Sequence, residues 1–371
     1  MNQTLLQRIG QWYSQLAILL LNTLLLLIIL TVFAYVYYGA RKNGLAPAVY
    51  SAALKTRAMH RMNAEEATKF FKLFDRLGAE ETFIYQPWVG FSERVFHAEG
   101  LNVDEAMPMP IRRTWQSVER GGKPLVVWIF GGSTMFGWGV PDDQTIASHL
   151  TKMLAHSFPE RDVKVINYGH SYFFSSQELA LFQMLLRRGE RCDFAIFLDG
   201  LNDSIGYSFE DRPAFTERMR AAFEKEQGRN PTADTHFWIS PEFPPLKLLA
   251  GIQARLVQRR VAPPATVPTY DAARKYQVNM ATEAALGDAL GIQTLFFWQP
   301  VPNDSVYAPA RELAWKVRQS MKSEAFHFVA DLFEGANEAD VYVDQHHYGD
   351  TACERVAEAI GVEIVAAAKK N

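Results

Sequence analysis

The sequence predicts an α/β protein, a parallel sheet covered by helices on both faces, attached to a single membrane-spanning helix. Three observations predict it. First, five short apolar runs recur: "PLVVWIF" (124–130), "VKVINYG" (163–169), "FAIFLDG" (194–200), "IQTLFFW" (292–298) and "FHFVADL" (326–332). Second, segments of helical length separate or follow them, near 143–156, 175–190, 209–226, 270–290, 308–323 and 351–369. Strands that are apolar almost throughout are buried on both faces, and their alternation with helices is the pattern of a parallel sheet. Third, no charged residue occurs from Ile9 to Ala40.

Within that uncharged run, residues 16–38 read as a transmembrane anchor behind a short leader, 1–15. At ~1.5 Å per residue the anchor crosses a ~30 Å hydrocarbon core, and its tyrosine-rich end suits the interface. A cleaved signal peptide has a shorter apolar core of ~7–15 residues and a small-residue cleavage site, which is not evident here. Residues 39–104 read as a juxtamembrane region. Apolar residues at helical spacing between 45 and 81 indicate one or two amphipathic helices, and 83–96, "FIYQPWVGFSERVF", an extended or irregular connector. The main domain is expected over 105–371, with capping boxes at Ser175/Glu178 and Thr351/Glu354 opening two of its helices. A proline-rich insertion at about 227–269 interrupts it, and its apolar residues Phe237, Trp238, Phe243, Leu248 and Leu249 make it a candidate cap.

Composition narrows the function. With 371 residues, 48% of them hydrophobic, the chain can bury one large core and little more. A net charge of −3, without basic runs interleaved with aromatics, argues against nucleic acid as a partner. Cys192 and Cys353 make neither a disulfide framework nor a metal-ligand spacing, and are expected to be buried. No cofactor or metal is expected.

Chemistry-bearing residues gather where strands end. "IFGGSTMFGWG" (129–139) places Ser133 after two glycines at the end of the first run. Ligand sites of open parallel sheets lie at that edge. The stretch lacks the lysine and spacing of a phosphate-binding loop, so a hydroxyl nucleophile with an exposed backbone N–H is the stronger reading. The second run ends with Gly169 and the third leads into Asn202 in "DGLNDS". Ser133 N–H, Gly169 N–H and the Asn202 amide are therefore candidate oxyanion donors, each with turn chemistry as its alternative. Near the C-terminus, "VDQHHYGD" spaces Asp344 and His347 so that the carboxylate can orient an imidazole toward a serine. His346 is a competing base, with Asp340 and Asp350 within reach in sequence, and metal binding by Asp344, His346 and His347 is a further alternative.

Together these four blocks resemble the SGNH (GDSL-like) hydrolase superfamily: "FGGST" for the nucleophile, Gly169, "GLND" with Asn202, and "DQHH" as the D-x-x-H element. The resemblance covers about residues 124–371. Gly132 and Thr134 replace the aspartate and leucine of the name-giving sequence. It implies a flavodoxin-like three-layer α/β/α fold with a five-stranded parallel sheet. It also implies serine ester hydrolysis or O-acyl transfer through an acyl-enzyme, with Ser133 as nucleophile, His347 as base, Asp344 orienting it, and Ser133, Gly169 and Asn202 forming the oxyanion hole. Anchored relatives act on O-acetyl groups of envelope polysaccharides or on lipids. A small ester or acylated glycan is thus the expected substrate; a lipid esterase or thioesterase and a non-catalytic envelope scaffold are the alternatives.

The resemblance also places a single-pass protein in the inner (cytoplasmic) membrane with its domain on the extracytoplasmic side. Arg41, Lys42, Lys55, Arg57 and Arg61 after the span, against Arg8 alone before it, argue the opposite orientation by the positive-inside rule. Long domains translocate largely regardless of flanking charge. A C-terminal fusion to reporters of either compartment is expected to give activity only from the periplasmic one; activity only of the cytoplasmic reporter reverses the assignment.

Overall fold

The apolar runs become strands because each has two apolar faces and each face finds its own helical cover. In the computed structural model, residues 2–42, 56–77, 83–119, 121–206 and 272–369 are described. The chain forms α1 (Asn2–Lys42), α2 (Ala64–Leu77), β1 (Phe83–Gln86), β2 (Gly90–Glu93), β3 (Phe96–Ala98), β4 (Leu101–Asp104) and β5 (Ile111–Arg112). Then come β6 (Pro124–Gly131), α3 (Ser133–Phe136), α4 (Ile146–Ser157), β7 (Asp162–Gly169), α5 (Ser175–Arg187), β8 (Phe194–Asp199) and α6 (Leu201–Gly206). The last described stretch contains α7 (Ala272–Leu290), β9 (Gln293–Trp298), α8 (Ala308–Ser320), β10 (Phe326–Phe328), α9 (Glu338–Val341) and α10 (Asp350–Ala368). The helix expected at 209–226, the insertion at 227–269 and its apolar residues lie outside the described residues.

These residues fall into two units, α1 and everything from 56 onward. Along α1, the 27 residues Gln7–Phe33 are long and apolar enough to cross a membrane. A signal sequence passes the same test. Their side chains are not packed in a core, and the hydroxyls of Thr23 and Thr31 donate to carbonyls four residues back, at 2.8 and 2.7 Å. Such polar groups satisfy themselves within the helix, as an apolar surround requires.

In the second unit the sheet order is β10-β9-β8-β6-β7-β5-β4-β3. The five strands β6 to β10 pair in parallel, and their spatial order (second, first, third, fourth, fifth in sequence) is the doubly wound, flavodoxin-like one. The expected parallel sheet is present, but three short antiparallel strands, β5, β4 and β3, extend it beyond β7. On β6, Leu125, Val127 and Ile129 face the core shared by α2, α4 and α10, while Trp128 and Phe130 face that of α5, α7 and α8. This period-two division gives three layers. Across the second face runs a ladder of stacked rings: Tyr168–Phe130 at 5.4 Å, Phe130–Phe197 at 4.9 Å and Phe197–Phe296 at 5.2 Å between centroids.

The expected boundary at 104/105 does not separate two bodies. Phe70, Phe71 and Phe74 of α2 are buried in the main core, and β3 and β4 join the sheet. The 83–96 stretch, expected to be extended or irregular, is extended: a β1–β2 hairpin that leads into β3. Aromatic residues in both segments supply apolar area that burial in the core removes from water. The two expected capping boxes do not form either. α5 and α10 start after Phe174 and Gly349, so Ser175 and Thr351 lie inside their helices. The box that forms is at α2, where Asn63 Oδ1 accepts from the N–H groups of Glu65 and Glu66 and Glu66 Oε2 accepts from Asn63 N–H.

Four buried acids, Glu178, Asp199, Asp203 of α6 and Glu283, lie close enough for their charges to act on one another. Asp203 accepts N–H bonds from Ser175 and Gly200. Glu178 and Asp199 are placed to bond each other, which two carboxylates do only when one carries a proton. Burial first, then the neighbouring carboxylates, pushes Glu178, Asp199 and Glu283 well above the usual range. The unfolded chain ionises these groups near pH ~4, while the fold keeps them protonated. The folded form therefore binds more protons, and its stability falls as pH rises from about 4 toward the folded values, by up to ~1.4 kcal/mol per pH unit and group. Urea unfolding is expected to show lower stability at pH ~8 than at pH ~5, with a shallower slope in Glu283→Gln. An unchanged slope in that variant would show that Glu283 does not hold a proton.

Candidate active site

Ser133 follows β6 after one residue, Gly132, and is the first residue of the four-residue helix α3. Phe136 N–H closes the turn onto Gly132 O at 3.0 Å, and Gly137, at φ 87°, ends it by donating to Ser133 O and Thr134 O. Three side chains fix this turn from outside. Asn167 Nδ2 donates to Met135 O at 2.9 Å, and Thr134 Oγ1 to Gln299 Oε1 at 3.2 Å. Arg112, fully buried, donates to Gly137 O (3.3 Å), Val140 O (2.9 Å) and Asp142 Oδ1 (2.8 Å), with Phe136 under its guanidinium.

The second half of the site is the loop between α9 and α10. Tyr342 and Tyr348 form a bridge, and Val343 N–H donates to His347 O at 2.8 Å. Gly139, at φ 92°, packs against Val343, where a Cβ would come within 2.5 Å of Cγ2. A side chain at 139 would push the two loops apart. Asp344 Oδ1 accepts from the N–H groups of His346 (2.9 Å) and His347 (2.8 Å), and Oδ2 from His347 Nδ1 (2.6 Å). In the neutral imidazole that bond places the proton on Nδ1 and makes Nε2, 2.7 Å from Ser133 Oγ, the acceptor for the hydroxyl. The structure thus brings Asp344, His347 and Ser133 into one hydrogen-bonded line. Burial works to raise the Asp344 carboxyl; the His347 charge and hydrogen bond outweigh it and hold the carboxyl well below the usual range.

His346 points elsewhere, its Nδ1 lying 3.1 Å from the Tyr307 hydroxyl. Burial, then the charge of His347, pushes it down to about 3, so it stays neutral at physiological pH. Of the acids near it in sequence, Asp340 pairs with Arg57, while Asp350 accepts from the N–H groups of His60 (3.0 Å) and Arg61 (2.7 Å). Ligand atoms of Asp344, His346 and His347 lie within 4.8 Å of one another. Both ring nitrogens of His347 and both Asp344 oxygens make hydrogen bonds within this group and to Ser133.

The candidate oxyanion donors divide. Ser133 N–H opens α3. Asn202, at the start of α6, donates one amide hydrogen to Phe173 O at 2.7 Å, leaving the other for a second acceptor. Its Nδ2 lies so close to Gly132 that a Cβ there would come within 2.3 Å, which accounts for that glycine. Gly169 does not fit the expected role. Its N–H donates to Asn167 Oδ1 at 2.9 Å, and a Cβ at 169 would come within 2.5 Å of Phe136 N. The glycine lets β7 approach α3 instead.

The neighbouring loop 170–173 is pinned at three of its residues. His170 N–H donates to Gly131 O, Ser171 N–H to Glu93 Oε1 at 2.7 Å, and Phe173 N–H to His170 O. Glu93 Oε2 also accepts from His170 Nδ1 at 2.7 Å, inside the protein. Glu93, Arg112 and Asn167 were not singled out by sequence reasoning. A polar residue inside the apolar run "VKVINYG" was a usable signal for Asn167; the partners of Glu93 and Arg112 are too distant in sequence to give one.

Asp344→Asn keeps an oxygen for the two backbone N–H groups but places an amide against His347 Nδ1. The imidazole then carries its proton on Nε2 and cannot accept from Ser133. Turnover of a small ester is expected to fall ~10³–10⁴-fold with little change in unfolding midpoint, checked by steady-state kinetics and thermal denaturation.

No family model and no curated protein sequence matches the chain. Solved structures similar to it include a lipolytic protein of the G-D-S-L family from Desulfitobacterium hafniense DCB-2, with 12% identity, 64% of this chain and 98% of that chain covered, and a TM-score of 0.38. The acetylxylan esterase Axe2 from Geobacillus stearothermophilus is similar at 12% identity, 66% and 96% coverage and a TM-score of 0.41. The lipase Lip_vut3 from a goat rumen metagenome is similar at 14% identity, 65% and 97% coverage and a TM-score of 0.39.

Proposed function

We propose that this chain is a serine esterase or O-acyltransferase that acts through an acyl-enzyme on O-acyl groups, chiefly acetyl, of a cell-envelope polysaccharide. The observation that carries the reading is the unbroken line from Asp344 through His347 to Ser133, with bonds of 2.6 and 2.7 Å. A structural histidine needs one partner; this one has a carboxylate on one nitrogen and a helix-initiating serine hydroxyl on the other.

In the proposed reaction Ser133 Oγ attacks the ester carbonyl as its proton passes to His347 Nε2. Asp344, already ionised, stabilises the resulting imidazolium. The oxyanion meets Ser133 N–H and the second N–H of the Asn202 amide. His347 then returns the proton to the leaving alkoxide, releasing the alcohol. Water, or a second alcohol in the transferase variant, gives its proton to His347 as it attacks the acyl-serine, and collapse of that adduct returns the proton from His347 to Ser133 Oγ and releases the free acid, or the new ester. Helix α1 supplies the membrane attachment, with the domain proposed on the extracytoplasmic side, where the glycan lies.

A fluorophosphonate probe is expected to label the wild-type protein and not Ser133→Ala; labelling of the variant would falsify the nucleophile. Asn202→Ala is expected to keep labelling but lose about 3 kcal/mol of transition-state stabilisation, a more than hundredfold loss of kcat. Near-normal turnover in that variant would remove Asn202 from the site.

A further inference from the structure

Among the described residues, two that are not glycine have a positive φ: Trp88 at 74° and Tyr172 at 67°. Both are aromatic, and both are exposed, 78% and 50%. Left-handed backbone is unfavourable for bulky side chains and persists only where the surroundings over-determine it, most often at functional sites. For Trp88, at 78% exposure, little burial of the ring offsets the strain.

Each strained residue stands on backbone tied to the site. Tyr172 lies in the pinned loop 170–173, whose Phe173 O accepts from Asn202 and lies 3.1 Å from a Cβ built on Gly132, the neighbour of Ser133. Trp88 sits in the turn between β1 and β2, next to Val89, whose carbonyl accepts from Gln177 Nε2 at 2.7 Å. Gln177 belongs to the first turn of α5, where Ser175 N–H donates to Asp203, the residue after Asn202. On the same hairpin as Trp88, Phe83 of β1 has its ring centroid 6.3 Å from that of Tyr172, and Tyr85, two residues on, is 50% exposed.

We propose that Tyr172, Tyr85 and Trp88 form an aromatic track on which pyranose rings of an acylated glycan lie, beside the ester delivered to Ser133. This rests on the esterase reading above and names the part of the substrate that the track holds. Tyr and Trp offer large, rigid faces at small entropic cost. A sugar lays its C–H face on such a ring and keeps its hydroxyls in water, which an open surface permits. An acyl chain gains mainly by leaving water, which an open surface does not provide.

The test uses the full-length protein in detergent, with p-nitrophenyl acetate and acetylated gluco-, manno- and xylo-oligosaccharides, each as monomer and tetramer. Wild type is expected to favour at least one tetramer over its monomer by tenfold or more in KM. In Trp88→Ala and Tyr172→Gly, kcat/KM for that tetramer relative to p-nitrophenyl acetate is expected to fall at least tenfold through KM. Tyr172→Gly is expected to keep or raise the unfolding midpoint, because glycine relieves the left-handed strain. No tetramer preference in wild type, or an unchanged ratio in both variants, overturns the track. An equal fall on p-nitrophenyl dodecanoate overturns it in favour of an acyl-chain surface. No p-nitrophenyl acetate turnover and no fluorophosphonate labelling in wild type overturn the esterase reading itself.

Discussion

The register of the parallel strands is the constraint from which the site follows. Phe130 lies opposite Tyr168 on one side and Phe197 on the other, and Phe197 lies opposite Phe296. Each stacked pair adds on the order of 0.5–1.5 kcal/mol beyond the area it buries. A one-residue slip would send a ring to the opposite face, so the ladder permits a single alignment. One residue further along, Gly131 pairs with both Gly169 and Leu198. The strands therefore end level, and Ser133, the loop 170–173 and Asn202 leave the same edge together.

Buried charge then shapes what the strand ends carry. Arg112 with Asp142 holds the exit from the Ser133 turn, and Glu93 with His170 and Ser171 holds the loop beside Asn202. Pairs like these offset their desolvation only when every polar atom finds a partner, so their contribution to net stability is small. Breaking one leaves a buried charge without compensation, which makes the loop conformation the cheapest state available. The pairs thus serve position rather than stability.

This division decides what was legible in the sequence. Apolar runs and helical spacing revealed the parallel core, because period and burial are local properties. Ser133, Asn202 and the Asp344–His347 pair stood out because a strand end or a three-residue spacing carries their chemistry. The antiparallel extension was not legible: β5 is two residues long, and a single pair, Arg112 with Asn167, joins it to β7. Gly169 was misread for a related reason. A glycine at a strand end suits an exposed N–H and a close helix approach equally, and only the position of Asn167 Oδ1 distinguishes them.

The segment after the apolar helix belongs to the same construction. Gly349 lies so close to Ala58 that a Cβ would come within 1.9 Å of its carbonyl oxygen. Asp350 accepts from the His60 and Arg61 N–H groups, and Arg57 pairs with Asp340. The loop bearing Asp344 and His347 is thereby held on one side by Gly139 against Val343 and on the other by residues 57–61. A domain cut at residue 105 would strip the buried Asp350 of two donors and remove Phe70, Phe71 and Phe74 from the core. Residues 57–61 and α2 are therefore structural support for the loop that carries Asp344 and His347.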